Sequence, residues 1–256
     1  MRWFRFISLA MASLLVFCIA LIGCSKPVFS ENTKPPSPEL KEQVLQIIRE
    51  NPEVILESVQ AYQQQQQKKI QQARQSFLEQ MSTKPATVIA ESPITGSPDK
   101  KIVLLEFSDF QCPYCAQAYK TVKQFMAKHK DKVTLTYKHL PLIQIHQEAM
   151  PAAKAAWAAQ QQGKFWEYHN ALFEQQDKLG EDLYVAIAKE LKLDLNKFNQ
   201  DRQSAKAETA IKKDTDLAAT LGINGTPFFL MNGQALTGAI ELSELEKILA
   251  SITKTP

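Results

Sequence analysis

The sequence predicts an α/β fold preceded by an N-terminal helical segment, and three observations carry that reading. An apolar strand at 101–107 runs through Cys112-Pro113-Tyr114-Cys115 into a helix, and the helix leads to a β-branched strand at 132–139; this is a βαβ unit and hence a parallel strand pair. Between about 141 and 221 the pattern is helical throughout, so a large helical insertion interrupts the sheet. The chain then returns to strand at 228–231, turns at Asn232-Gly233, a strong two-residue hairpin signal, resumes at 234–237 and closes on a helix.

Taken from its start, the chain opens with Arg2 and Arg5 ahead of an apolar run from Ile7 to Ile22, which fits the n-region and h-region of an export signal and is short for a membrane span. The run ends in Leu21-Ile22-Gly23-Cys24, which resembles the lipobox of bacterial lipoproteins. That resemblance implies a signal peptide over 1–23, cleavage before Cys24 and a lipid on its sulfur; an uncleaved anchor or ordinary signal cleavage are the alternatives. Residues 24–38 carry Pro27, Pro35, Pro36 and Pro38 among small polar residues and read as an extended, semi-rigid tether.

A helical segment is expected over 39–84. Leu40, Val44, Ile47 and Ile48 fall at helical spacing, Asn51-Pro52 reads as the N-cap and first turn of a second helix, and that helix carries Val54, Ile55, Val59 and Tyr62 into the glutamine run 63–67. Two short amphipathic helices bury such residues only against the main domain or another copy, so homo-oligomerisation through 39–80 is expected, with a solvated spacer as the alternative. Residues 84–100 are rich in proline and mark a boundary, with a short strand expected at 87–90 and a main domain over 85–256. The strand 101–107, a helix from Pro113 to about Lys130 and the strand 132–139 follow. After the insertion and hairpin, the last helix is expected to start near Ser243, capped through Glu246, and to end by Ile252.

Charge and composition exclude several functions. The formal charge is +3 in 256 residues, and two of the positive residues sit in the signal segment, with no basic stripe or interleaved aromatics. Nucleic-acid binding is not expected.

The four cysteines carry the chemistry. Cys18 and Cys24 belong to the signal and its lipidation site, which leaves Cys112 and Cys115. A thiol at a helix N-terminus faces free backbone N–H groups and the positive end of the helix dipole, which favour the thiolate; Cys112 is thus the candidate nucleophile and Cys115, one turn on, the resolving thiol. Pro113 suits the first helical position. Zinc is not expected, because a structural site takes four ligands and no second cysteine pair or histidine cluster is at hand. His129, His139, His146 and His169 are each candidates for the base of a cysteine hydrolase, but a second thiol at Cys115 would trap such a nucleophile as a disulfide. Trp157, Phe165 and Trp166 are expected in the core of the helical block.

Three motifs then point to a family. Glu-Phe-Ser-Asp-Phe-Gln-Cys-Pro-Tyr-Cys at 106–115, Gly-Lys-Phe-Trp-Glu-Tyr-His at 163–169 and Gly-Ile-Asn-Gly-Thr-Pro-Phe-Phe at 222–229 resemble the DsbA-like thiol:disulfide oxidoreductases of bacterial envelopes, over about residues 85–253. The resemblance implies a thioredoxin fold with a helical insertion, a redox-active Cys112–Cys115 disulfide and no other cofactor. It implies that Pro227 is a cis-proline facing Cys112, that Thr226 offers backbone groups to a bound peptide, with Pro113 and Tyr114 beside it, and that Glu106 is the family's buried acid, a proton relay for Cys115. Tyr114 stands where the best-studied enterobacterial member has histidine, so one positive partner of the thiolate is missing and strong oxidising power is not assured by motif alone. The implied function is disulfide exchange with reduced or misoxidised envelope proteins, as an oxidase, or alternatively as an isomerase or reductase, with a membrane partner recycling the cysteine pair. A non-enzymatic lipoprotein that binds extended polypeptides is the rival from another class; the expected location is extracytoplasmic and lipid-anchored.

Overall fold

A computed structural model describes residues 37–254. The signal segment, Cys24 and the tether up to residue 36 lie outside the described residues. The chain divides into two units, residues 1–61 and 62–256.

In the first unit, helix α1 (Pro38–Glu50) is capped by Ser37, whose hydroxyl accepts from the Leu40 N–H at 3.1 Å. Helix α2 (Pro52–Thr83) starts at Pro52 as the motif predicts. Asn51, however, closes α1 rather than capping α2: its side-chain amide donates to the Ile47 carbonyl at 2.8 Å. The last carbonyls of a helix lack intrahelical donors, and a side-chain amide just beyond them supplies one. No residue of α1 is buried, and Leu40, Val44, Ile47, Ile48, Val54, Ile55, Leu56 and Val59 are all exposed. The second helix is also not short, since it runs for 32 residues.

In the larger unit, residues 62–83 of α2 are integral to the core, because Phe77 and Met81 are buried with Val103, Leu105, Phe107, Leu221 and Ile223. The domain therefore begins earlier than the proline-rich boundary at 84–85 suggested. The strand expected at 87–90 is instead a short helix, α3 (Pro85–Ile89), begun by Pro85 and burying Val88 and Ile89. The edge strand lies further on, as β1 (Ile94–Gly96).

The core is a five-stranded sheet of order β1-β3-β2-β4-β5, built from β2 (Ile102–Ser108), β3 (Val133–His139), β4 (Phe228–Met231) and β5 (Gln234–Thr237). Strands β2 and β3 are parallel, joined by helix α4 (Pro113–His129), and the other pairs are antiparallel. Asn232 and Gly233 both have positive φ, +41° and +96°, the conformation that a tight two-residue hairpin between β4 and β5 requires.

Strand alternation sorts the central strand into two faces. Val103, Leu105 and Phe107 point towards α2, α3 and helix α9 (Ala205–Thr220). Leu104 shares the opposite face with Glu106 and Ser108, and that face is covered by α4 and the last helix, α10 (Leu242–Lys254). Between β3 and α9 the insertion forms α5 (Ala149–Gln160), α6 (Phe165–Glu174), α7 (Glu181–Glu190) and α8 (Leu195–Arg202). Its alanines pack with Phe165, Tyr168 and Phe198 against Tyr137 and Cys115. Phe165 is buried there as expected, while Trp166 is only half-buried and ties its indole N–H to the Ile94 carbonyl at 2.7 Å.

Helix α10 starts one residue before Ser243, and its box is different from the one expected. The Glu244 carboxylate accepts from the Glu241 N–H at 3.1 Å, and Glu246 faces α4, pairing with His129 at 2.8 Å and Lys128 at 3.5 Å.

Candidate active site

The site begins where β2 ends. A central strand buried on both faces is normally apolar throughout, and Glu106 is the charged exception in this one. After Ser108, Asp109 turns the chain: its Oδ1 accepts from the Gln111 N–H at 2.8 Å, and its carbonyl accepts from the Cys112 N–H at 3.1 Å. Its other carboxylate oxygen accepts from the Leu142 N–H at 3.0 Å and binds His146 Nδ1 at 2.7 Å, so one buried carboxylate fixes both the turn and the segment after β3. The turn sets Cys112 at the N-cap of α4, where its carbonyl accepts from the N–H groups of Cys115 and Ala116. From the single 3₁₀ turn Gln176–Lys178, the Gln176 amide donates to the carbonyls of Phe110 (2.7 Å) and Cys112 (2.9 Å), clamping the same loop from the insertion.

Both thiols are free. Cys115 is fully buried, and Cys112 keeps 4% of its surface exposed beside the exposed Pro113 and Tyr114. Across the site the Thr226–Pro227 bond is cis, as the motif implied, and the Cys112 thiol points at the Thr226 carbonyl at 3.5 Å. The Cys115 sulfur accepts from the Asp109 N–H at 3.5 Å.

The two thiols differ in acidity. The Cys112 thiol is pushed down to about 5 from 9.0, chiefly because the Cys115 side chain hydrogen-bonds to its thiolate; burial opposes this, and the backbone N–H groups of Cys115 and Tyr114 help. Cys115 is driven strongly upward by burial and by the neighbouring Cys112. Glu106, 2% exposed, is raised to about 7 by burial, opposed by the Ser108 hydroxyl. It is thus an interior acid and not an edge residue with its head in water.

The histidines pair with neither thiol. His129 pairs with Glu246 and His146 with Asp109, while His139 and His169 are buried among Phe110, Tyr137 and Phe165 and held neutral by burial, at about 3 and about 4. None of these four histidines hydrogen-bonds to Cys112 or Cys115. Nor, among the described residues, does any group of three or more His, Cys, Asp or Glu side chains have an arrangement that would hold a metal ion. The roles of Asp109, which the motif left open, and of Gln176 were not legible. The Asp109-x-Gln111 spacing is a turn signal, but Gln176 lies some 60 residues from the loop it holds.

A family model described as thioredoxin matches residues 89–251, which include the whole of this site. The chain belongs to the thioredoxin family. A thioredoxin-like oxidoreductase from Silicibacter pomeroyi DSS-3 is 31% identical, with a TM-score of 0.60 over 65% of this chain and 95% of that one. The thiol-disulfide exchange protein alpha-DsbA2 from Wolbachia pipientis superposes with a TM-score of 0.61 over 70% of this chain and 97% of that one; at 21% identity it shows the shared fold. This thioredoxin-family chain has the DsbA-like fold that its motifs suggested. A stretch of 158 residues is also 34% identical to the Na(+)/H(+) antiporter NhaA 3 of Salinispora tropica, covering 62% of this chain. The chain spans about a quarter of the length of the curated relatives it matches. Among the described residues no helix is long and apolar enough to cross a membrane.

Proposed function

We propose that this thioredoxin-family chain is a dithiol oxidase of envelope proteins. The observation that carries the reading is Cys112 at the N-cap of α4, its thiolate favoured and its sulfur facing the Thr226 carbonyl beside cis-Pro227. In the oxidised enzyme, a client thiolate attacks Cys112 Sγ; the Cys112–Cys115 bond breaks, Cys115 leaves with the electron pair, and Glu106 supplies it with a proton. A second client thiolate then attacks the client sulfur of the mixed disulfide, and Cys112 departs as the thiolate. The client gains a disulfide and the enzyme becomes the dithiol. A leaving thiolate that is well stabilised makes the enzyme disulfide the better oxidant. Thr226, Pro113 and Tyr114 form the ground on which an extended client segment rests, as a strand laid at a sheet edge would.

A membrane partner returns the cysteine pair to the disulfide, a lipid on Cys24 holds the chain at an extracytoplasmic membrane surface, and the exposed apolar residues of 38–61 pack against a second copy. That exposed surface also favours an isomerase or reductase, which gains from several sites around one client. The non-enzymatic polypeptide-binding reading is tested by insulin reduction with the wild type and with Cys112→Ser. The wild type is expected to precipitate insulin chains and the variant to be inactive; equal activity would remove the enzyme reading.

A further inference from the structure

Buried polar atoms without a hydrogen-bond partner gather on one face of the sheet, under the start of α4. Strand alternation places Glu106 and Ser108 on the same face of β2, and the parallel register sets Tyr137 beside Glu106 and His139 beside Ser108. Glu106 Oε1, Ser108 Oγ, the Tyr137 phenol oxygen and both His139 ring nitrogens are buried and lack partners among the described residues. Native interiors leave few such groups, and those that persist often belong to redox or catalytic machinery. Cys115 belongs to the same buried cluster as Tyr137, and its sulfur accepts from the N–H of Asp109, the residue after Ser108.

Of these groups, Ser108 alone lies between the two ends: it shares the inner face of β2 with Glu106 and directly precedes Asp109, whose N–H the Cys115 sulfur accepts from. Its hydroxyl also draws the pKa of Glu106, Cys115 and Tyr137 downward against the upward push of burial, as a dipole near all three would. A hydroxyl both donates and accepts, and rotates about its C–O bond, so it can receive one proton while passing on another.

We infer that Ser108 is the hydroxyl bridge of a buried proton path between Cys115 and Glu106. The inference rests on the oxidoreductase reading and adds a group to it. When Cys115 resolves a mixed disulfide, its Sγ–H proton passes to Ser108 Oγ while the Ser108 proton passes to the Glu106 carboxylate. The Cys115 sulfur attacks Cys112 Sγ, the Cys112–Cys115 bond forms, and the outgoing thiolate leaves with the electron pair of the broken bond. In the oxidising direction the same path runs backwards and protonates the departing Cys115. Tyr137, fully buried with its phenol held protonated by burial, and the neutral His139 line the path without carrying charge through it.

The test mixes the reduced protein with oxidised glutathione and follows two steps by acid quench and mass: formation of the Cys112–glutathione mixed disulfide, and its closure by Cys115. Ser108→Ala is expected to close about tenfold more slowly, less than the roughly 10²–10⁴-fold that positioned proton transfer contributes in full because Glu106 remains, with formation unchanged. In wild-type protein, closure measured across mixtures of light and heavy water is expected to give a bowed dependence on deuterium fraction, since two protons move together. Closure of Ser108→Ala at the wild-type rate, or a straight line in wild type, would overturn the bridge. If the variant does not fold, the wild-type measurement decides alone. A wild type that forms no mixed disulfide at Cys112 would overturn the oxidoreductase reading itself, and the bridge with it.

Discussion

At the scale of single residues the site rests on an inequality between two thiols three positions apart. Cys112 at about 5 and Cys115 driven upward predict that the thiolate absorbance near 240 nm titrates with one midpoint near 5 in the reduced protein. Because the Cys115 side chain is the largest cause, Cys115→Ala should move that midpoint upward; an unmoved midpoint would assign the effect to the helix terminus instead. Glu106 predicts a pH dependence of stability. Its folded-state value of about 7 lies above the unfolded 4.5, so the folded chain holds a proton that the unfolded chain has lost, and stability falls as pH rises from about 4.5 to about 7. Glu106→Gln should therefore be more stable than wild type at pH 8, by on the order of a few kcal/mol, and no more stable at pH 4. Denaturant titration at the two pH values checks this. Cys112, Cys115, Glu106 and Pro227 were legible because each occupies a fixed offset in a short motif. Ser108 and Gln176 were not: the first depends on which face of β2 turns inward and the second on how the insertion folds back over the loop.

At the scale of elements, helix α2 is where the sequence misleads. Its apolar residues near the N-terminal end and the glutamine run suggested an appendage ending at 84, yet Phe77 and Met81 are core and Arg74 donates to the Leu221 carbonyl at 2.6 Å, six residues before Pro227. Burial of a helix end against a sheet formed 20 to 150 residues later leaves no local trace beyond two apolar residues. Met81→Ala should cost about 2–5 kcal/mol, as for other buried methionine truncations, whereas Leu56→Ala, exposed, should cost little. Gly222 is fitted to the same helix: with φ +64°, an added Cβ would sit 2.9 Å from Ile70 Cγ2, so Gly222→Ala should destabilise by about 1–3 kcal/mol. Thermal unfolding measures all three. The βαβ unit and the hairpin were read correctly because strand period, Pro113 and Asn232-Gly233 are local signals; the strand expected at 87–90 was not, since Pro85 begins a helix there and the edge strand forms seven residues later.

At the scale of the whole molecule, the first unit exposes apolar residues that an isolated chain would leave in water. Self-association through 38–61 predicts a sedimentation mass above the monomer's, reduced to the monomer's by Val44→Glu with Ile47→Glu; a monomeric wild type would contradict it. The central claim concerns the direction of electron flow, and the reduction potential of the Cys112–Cys115 pair in glutathione buffer tests it most directly. A favoured Cys112 thiolate at a helix N-terminus, without a positive residue at 114, predicts a potential between about −120 and −180 mV, the oxidising end for such enzymes. A value near about −270 mV would contradict the oxidase and make the pair a reductant.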